Sequence, residues 1–194
     1  MHQGGNTAEQ TAGRAPREEG KMAKLKKGAE YLIAATAAAD VFTPEDLTEE
    51  QQAIADTTVA FVKDEVLPVY ERLEHQEPGL AAALMRKAGE AGLLMIDAPA
   101  EYGGLDLDKV TSIVASDRMG AAGAFAVSYA AHTGIGTLPL VYYGTPAQKD
   151  RYLPKIASGE WVAAYCLTEP GAGSDAMGGT TTAVLSPDGK HYLL

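Results

Sequence analysis

The 194-residue chain sets 16 Lys and Arg against 26 Asp and Glu, for a net charge of −10, and is 46% hydrophobic. The acidic balance argues against nucleic-acid binding, because no excess of cations meets phosphate. The apolar share suffices for one substantial core. Cys166 is the one cysteine, so no intrachain disulfide can form and a reducing compartment is expected. No apolar run reaches the roughly 18 residues of a membrane span. The amino terminus lacks the apolar core of a signal peptide, and Glu9, Glu18 and Glu19 oppose a mitochondrial transit peptide. The bacterial cytoplasm is the expected location, ahead of the mitochondrial matrix.

Residues 1–23, rich in Gly, Gln and Glu, are expected to form a disordered tail. Lys24, Lys26 and Lys27 read as a solvated face, and Leu25, Tyr31, Leu32 and Ile33 as anchors of a first short helical segment. Thr43-Pro44-Glu45-Asp46 has the form of a helix start. Thr48-Glu49-Glu50-Gln51 has capping-box spacing, so a helix is predicted from Glu49, with Ile54, Phe61, Val62 and Val66 on its apolar face. Pro68 should kink or break it. A second helix is predicted from Gly79 to Ala91, with Leu84, Met85 and Ala88 inward and Gly92 past its end. After the short apolar run Leu93–Asp97 and the turn cluster Pro99–Gly104, a third helix spans Leu107–Met119 with an apolar stripe of Val110, Ile113 and Val114. A fourth runs from Gly123 to Ala131 and resumes near Leu138. Thr145-Pro146-Ala147-Gln148 starts a fifth, in which Pro154 is a weak point.

The pattern changes at Glu160. Trp161–Leu167 is apolar and rich in β-formers, which predicts a buried strand. Thr168–Gly179 is a Gly-rich loop and Thr180–Leu185 a strand. Ser186-Pro187-Asp188-Gly189 is a turn, and His191–Leu194 starts a return strand. The chain ends inside this hairpin, so the strands are expected to belong to a larger, truncated β unit whose missing partners would otherwise leave unpaired edges.

The segment with most chemical content is Tyr165 through Asp175. Gly171 and Gly173 permit positive φ and close approach of a ligand to the backbone. Successive N–H groups there can form an anion-binding nest, and the Thr168 and Ser174 hydroxyls can donate to phosphate or to ring heteroatoms. The same stretch also suits an ordinary surface turn. Gly171, Gly173 and Ala176 satisfy the dinucleotide pattern G-x-G-x-x-A. That motif needs a helix directly after the loop, and Met177-Gly178-Gly179-Thr180 is a poor helix former. His132 reads as a hydrogen-bonded core or surface histidine, Glu101 and Tyr102 as structural, Trp161 as core packing, and Cys166 as a small buried residue. His2, His75 and His191 are too scattered for a metal site.

Leu167-Thr168-Glu169-Pro170-Gly171-Ala172-Gly173-Ser174-Asp175 resembles the flavin-binding signature of the acyl-CoA dehydrogenases. Pro99-Ala100-Glu101-Tyr102-Gly103-Gly104 resembles that family's upstream turn. Gly144-Thr145 through Gln148-Lys149, Tyr152-Leu153-Pro154 and Ser158-Gly159-Glu160 are similar to the segment leading into the signature. The resemblance covers about Phe42 to the end, in matching order. Gly28–Ile33 and His132–Gly136 look closest to the long- and very-long-chain branch. The implied fold is α+β: a helical domain over 24–159, the opening of a β-barrel or sandwich domain over 160–194, and a C-terminal helical bundle missing from the chain.

The resemblance also implies function. The activity is FAD-dependent α,β-dehydrogenation of fatty acyl-CoA thioesters in β-oxidation, with an electron-transfer flavoprotein as acceptor and a homo-oligomeric full-length enzyme. Cofactor contacts fall on Tyr165, Cys166, Leu167, Thr168, Gly173 and Ser174, with Ser174 also close to the acyl-CoA. Glu169, Pro170 and Asp175 hold the loop's shape. The catalytic glutamate is expected beyond Leu194, so the chain alone should be inactive. An acyl-CoA oxidase or flavin monooxygenase on the same fold, or a non-catalytic helical interaction module, are the alternative readings.

Overall fold

The computed structural model describes residue 26 and residues 28–194. The expected tail and most of the basic run lie outside the described residues. Seven α-helices are described: α1 (Glu49–Phe61), α2 (Tyr70–Glu74), α3 (Leu80–Glu90), α4 (Lys109–Met119), α5 (Ala124–Ala131), α6 (Leu138–Tyr143) and α7 (Pro146–Ala157). Among the described residues strands occur only after them, as the hairpin β1 (Val184–Leu185) and β2 (Tyr192–Leu193), antiparallel with Val184 opposite Leu193. The described chain is therefore mostly helical.

The helix starts follow side-chain chemistry. Thr48 Oγ1 accepts from the Gln51 amide at 3.2 Å while Gln51 Oε1 accepts from the Thr48 amide at 3.0 Å, which satisfies two otherwise orphaned donors. Thr145 and Gln148 repeat this box at α7. Asp108 caps α4 through the Thr111 amide at 2.8 Å. Gln51 Nε2 donates to Asp108 Oδ2 at 3.2 Å, so the starts of α1 and α4 are tied together. The end of α3 is a Schellman motif: Gly92 lies at φ +74°, and Leu93 N donates to Ala88 O at 2.9 Å.

Pro68 distorts the helix without ending it. It has no N–H to offer the preceding turn. The chain widens into a π-turn over Val62–Val66, tightens into a 3-10 turn over Leu67–Val69, and resumes as α2. Pro154 stays inside α7, on its exposed side.

Two apolar clusters form the interior. The larger gathers Phe61, Val66, Leu84, Met85, Leu93, Ile96, Met119, Phe125 and Tyr129. The smaller gathers Met95, Ala98, Val141, Leu153 and Ile156. The run Leu93–Ala98 feeds both. Its backbone is held by Leu105 N to Met95 O (3.0 Å) and Leu107 N to Ile96 O (2.9 Å), with the Tyr129 hydroxyl on Leu93 O at 2.7 Å. The turn Pro99–Gly104 folds back tightly here, since a Cβ at Gly104 would stand 2.0 Å from Ala98 O.

Three expectations need correction. Tyr31, Leu32 and Ile33 are exposed, because the three-residue 3-10 turn Glu30–Leu32 is too short to lay down an apolar face. The buried face of α4 is Thr111, Ala115 and Met119, whereas Val110 and Ile113 are exposed. α4 packs against α1, where Ala55 and Thr58 are also fully buried. Small side chains serve a close helix pair, and the threonine hydroxyls are satisfied locally, Thr58 on Ile54 O and Thr111 on Asp108 Oδ1. Finally, Trp161–Leu167 forms no strand, and Trp161, Val162, Tyr165 and Leu167 are exposed. A strand needs a ladder partner and a surface to cover it. Among the described residues the one ladder is β1–β2, which pairs with itself.

Candidate flavin-loop site

The loop begins where α7 stops. Gly159 turns the chain at φ +71°, pressed so closely on α3 that a Cβ would stand 2.6 Å from Met85 O. The Trp161 amide donates to Lys155 O at 3.0 Å. The Trp161 ring is half covered, with its centroid 5.9 Å from the Tyr152 ring and the Lys155 ammonium 4.5 Å above it. It caps the end of α7 and is not a core residue. The Ala163 amide then donates to His132 Nδ1 at 3.0 Å.

Beyond Ala163 the chain is open. Tyr165, Cys166, Leu167 and Thr168 are all exposed, so the expectation of a buried Cys166 is corrected. The turn Glu169–Ala172 closes through two reciprocal backbone bonds, Glu169 N to Ala172 O (3.0 Å) and Ala172 N to Glu169 O (3.1 Å). Ala172 is buried while Gly173 and Ser174 are exposed. Gly171 and Gly173 do not take positive φ, and a Cβ at either would meet nothing within 4 Å. Their expected conformational role is absent, and what they provide is open space above the backbone. A 3-10 turn over Ala176–Gly178 follows in place of an α-helix, so the dinucleotide geometry is not built.

Glu169 braces the loop. Its carboxylate accepts from Thr180 N at 2.7 Å and Thr181 N at 3.1 Å. These bonds, the Thr180 amide first, hold its pKa below the usual carboxylate range. The sequence offers no local signal for partners eleven and twelve residues downstream.

His132 is buried at the end of α5. Its Nδ1 accepts from Ala163 N, and its Nε2 lies 3.2 Å from Ile156 O. The hydrogen-bond pattern assigns the neutral Nε2–H tautomer, and burial lowers its pKa. The histidine is a satisfied core residue, as expected. Its reach to the start of the loop cannot be read from spacing. His75 and His191 lie apart, His191 beside Asp188 at 3.7 Å, and His2 lies outside the described residues. Among the described residues no group of three or more His, Cys, Asp or Glu side chains could hold a metal, and no helix is long and apolar enough to cross a membrane.

A separate cleft of about 260 Å³ lies on the helical part, lined by Leu93, Ile96, Asp97, Lys109, Ser112 and Thr133 among others. Its charges already have partners. Asp97 pairs with Lys109 and accepts from Ser112 Oγ at 3.2 Å.

The family profile "Acyl-CoA dehydrogenase, N-terminal domain" matches residues 48–160, the stretch from the α1 cap to the start of the loop. This chain belongs to the acyl-CoA dehydrogenase family. It is 48% identical over 174 residues to a "Probable acyl-CoA dehydrogenase" of Bacillus subtilis, covering 90% of this chain and 29% of that protein. It is 38% identical over 164 residues to the human mitochondrial "Very long-chain specific acyl-CoA dehydrogenase", covering 78% of this chain and 23% of that protein. A crystal structure of an acyl-CoA dehydrogenase complexed with FAD from Bacillus anthracis superposes with a TM-score of 0.80 at 49% identity, over 86% of this chain and 29% of the other. The chain thus spans less than a third of the length of these relatives.

Proposed function

We propose that the chain supplies the helical domain (24–159), the opening of a β domain (160–194) and part of the flavin site of an FAD-dependent dehydrogenase that places an α,β double bond in fatty acyl-CoA thioesters during β-oxidation. The observation that carries this reading is the open donor set of the loop in a chain of this family. Thr168 and Ser174 present exposed hydroxyls, the amides of Gly171, Gly173 and Ser174 make no hydrogen bond among the described residues, and the space above both glycines is open. Such a surface fits a phosphate-bearing ring cofactor. The Bacillus anthracis relative was crystallised in complex with FAD.

When bound, FAD supplies the two-electron acceptor for the hydride leaving Cβ. The residues of this chain would hold and orient. Tyr165, Cys166 and Leu167 would line the flavin, Thr168 and Gly173 would lie along it, and Ser174 would contact its phosphates and the acyl-CoA. The α-proton needs a carboxylate tuned upward toward a weak carbon acid. Glu169 is tuned the other way by its amide donors; the family resemblance, and not this loop, is the ground for placing the base beyond Leu194. The proposal includes an electron-transfer flavoprotein as acceptor and a homo-oligomeric full-length enzyme.

The test is the visible spectrum of the full-length protein that carries this segment, and its anaerobic reduction by acyl-CoAs of graded length. Flavin absorbance that bleaches with a fatty acyl-CoA supports the reading. A protein that neither carries nor takes up flavin contradicts it.

A further inference from the structure

The clamp at the start of the loop uses a hydrogen bond that only one form of histidine can make. Ala163 N–H donates, so His132 Nδ1 must be an unprotonated acceptor. Ile156 O accepts, so Nε2 must carry the proton. The two bonds have opposite polarity and together select one tautomer of the neutral ring. The site around the ring is built to hold this arrangement. His132 is fully buried, and the Thr137 hydroxyl donates to His132 O at 2.6 Å. Gly136 leaves room for the passing chain, since a Cβ there would stand 2.8 Å from the Ala163 carbonyl carbon. Ala163 also makes the last hydrogen bond between the helical part and the chain that follows, among the described residues. The next backbone hydrogen bonds among the described residues are those of the Glu169–Ala172 turn.

We propose that His132 is a positioning residue whose neutral Nε2–H form clamps the Ala163 amide to the end of α7 and so sets the direction in which the Tyr165–Ser174 segment leaves the helical part. The clamp itself stands on geometry alone; its bearing on flavin rests on the function proposed above. Protonation puts a donor on Nδ1 directly against the Ala163 N–H, and the bond is lost. Charged side chains on the elements packed against the ring are Lys149, Asp150, Arg151 and Lys155 of α7, and Glu160 before the loop; α5, the π-turn His132–Gly136 and α6 carry none. Lys155 and Glu160 pair with each other at 3.0 Å, and Arg151 lies over the Tyr152 ring. No charge acts on the imidazole; burial lowers its pKa, opposed only by the Ile156 bond. The clamp therefore holds at neutral and alkaline pH, and opens only when the pH falls below the ordinary histidine range.

The experiment is nitrogen NMR on the uniformly 15N-labelled chain. The imidazole shifts should show an acceptor Nδ1 and a protonated Nε2, and a scalar coupling across the hydrogen bond should join Ala163 N to His132 Nδ1. On acidification the Ala163 amide should lose about tenfold of its exchange protection as His132 titrates, the change expected from one lost hydrogen bond, while Trp161 N–H on Lys155 O keeps its own. His132→Leu should lose the Ala163 protection at every pH, and His132→Gln, which retains an acceptor and a donor, should recover part of it. An Nδ1–H tautomer, a missing coupling, or Ala163 protection that ignores His132 protonation would overturn the proposal. The tautomer and coupling need no variant, so a variant that fails to fold does not remove the test. FAD uptake is measured separately by flavin fluorescence. A clamp that is present in a full-length protein that never takes flavin contradicts the functional reading alone.

Discussion

The helical part and the segment from Trp161 onward obey opposite rules. In the first, two clusters of large apolar side chains are buried, three helices start on side-chain caps, and buried polar groups such as Thr58, Thr111 and His132 have partners. In the second, Tyr165, Leu167, Met177, Val184, Leu185, Tyr192 and Leu193 are exposed, and a two-residue hairpin is the only ladder among the described residues. On the function proposed above, the comparison separates residues that stabilise from residues that recognise. Exposed apolar and hydrogen-bonding groups in one stretch mark a surface for something else to cover, and their substitution should register in binding before it registers in folding.

The largest effect expected from this contrast is in the core. Phe125 is buried against Phe61, ring centroids 6.0 Å apart, and Phe125→Ala should cost about 3–5 kcal/mol, read as a lower midpoint in urea. A comparable loss of stability from Tyr165→Ala, on the exposed segment, would erase the distinction. Next is a pair of glycines. Gly104→Ala forces a Cβ to within 2.0 Å of Ala98 O and should cost about 1–3 kcal/mol as the turn shifts. Gly173→Ala meets nothing within 4 Å and should change stability by no more than about 0.5 kcal/mol, while weakening flavin uptake if a cofactor lies on the backbone there. Equal stability losses would contradict the open loop.

Glu169 gives a pH-dependent effect confined to the loop. Its folded pKa is lowered, so its contribution is fully present above the unfolded value of about 4.3 and is lost as pH falls through the folded pKa. Amide exchange at Thr180 and Thr181 should quicken over that acid window relative to neighbouring amides, and Glu169→Gln should abolish the dependence. The smallest effect is at the exposed Lys155–Glu160 pair, 3.0 Å apart, where Glu160→Gln should change stability by about 0–1 kcal/mol. A larger loss would mean that the α7 end depends on this pair and not on Gly159 and His132.

Legibility in the sequence divides along the same line. The capping box at Thr48, the helix start at Thr145, the Gly92 stop and the inward face of α3 depend on residues within one or two turns of each other, and all are present in the structure. The α4 face is misleading because apolar residue type points to Val110 and Ile113, whereas close packing on α1 selects the small Thr111 and Ala115. Trp161–Leu167 misleads because β-forming composition cannot supply a ladder partner. In the loop, the residue types of Thr168–Ser174 point to cofactor chemistry, but the Glu169 brace and the His132 clamp join residues 11 to 31 apart in sequence, and spacing carries no trace of them.

The central claim, that this loop is cofactor surface, is tested most directly by FAD affinity in the purified protein carrying Thr168→Val or Ser174→Ala. Neither side chain makes a hydrogen bond among the described residues, and both are exposed. Folding stability should therefore stay within about 0.5 kcal/mol of the parent. Loss of a hydrogen bond to a bound flavin should nevertheless weaken FAD binding by about 1–3 kcal/mol, seen as lower flavin content and a higher Kd in fluorescence titration. Parental FAD affinity in both variants would contradict the account.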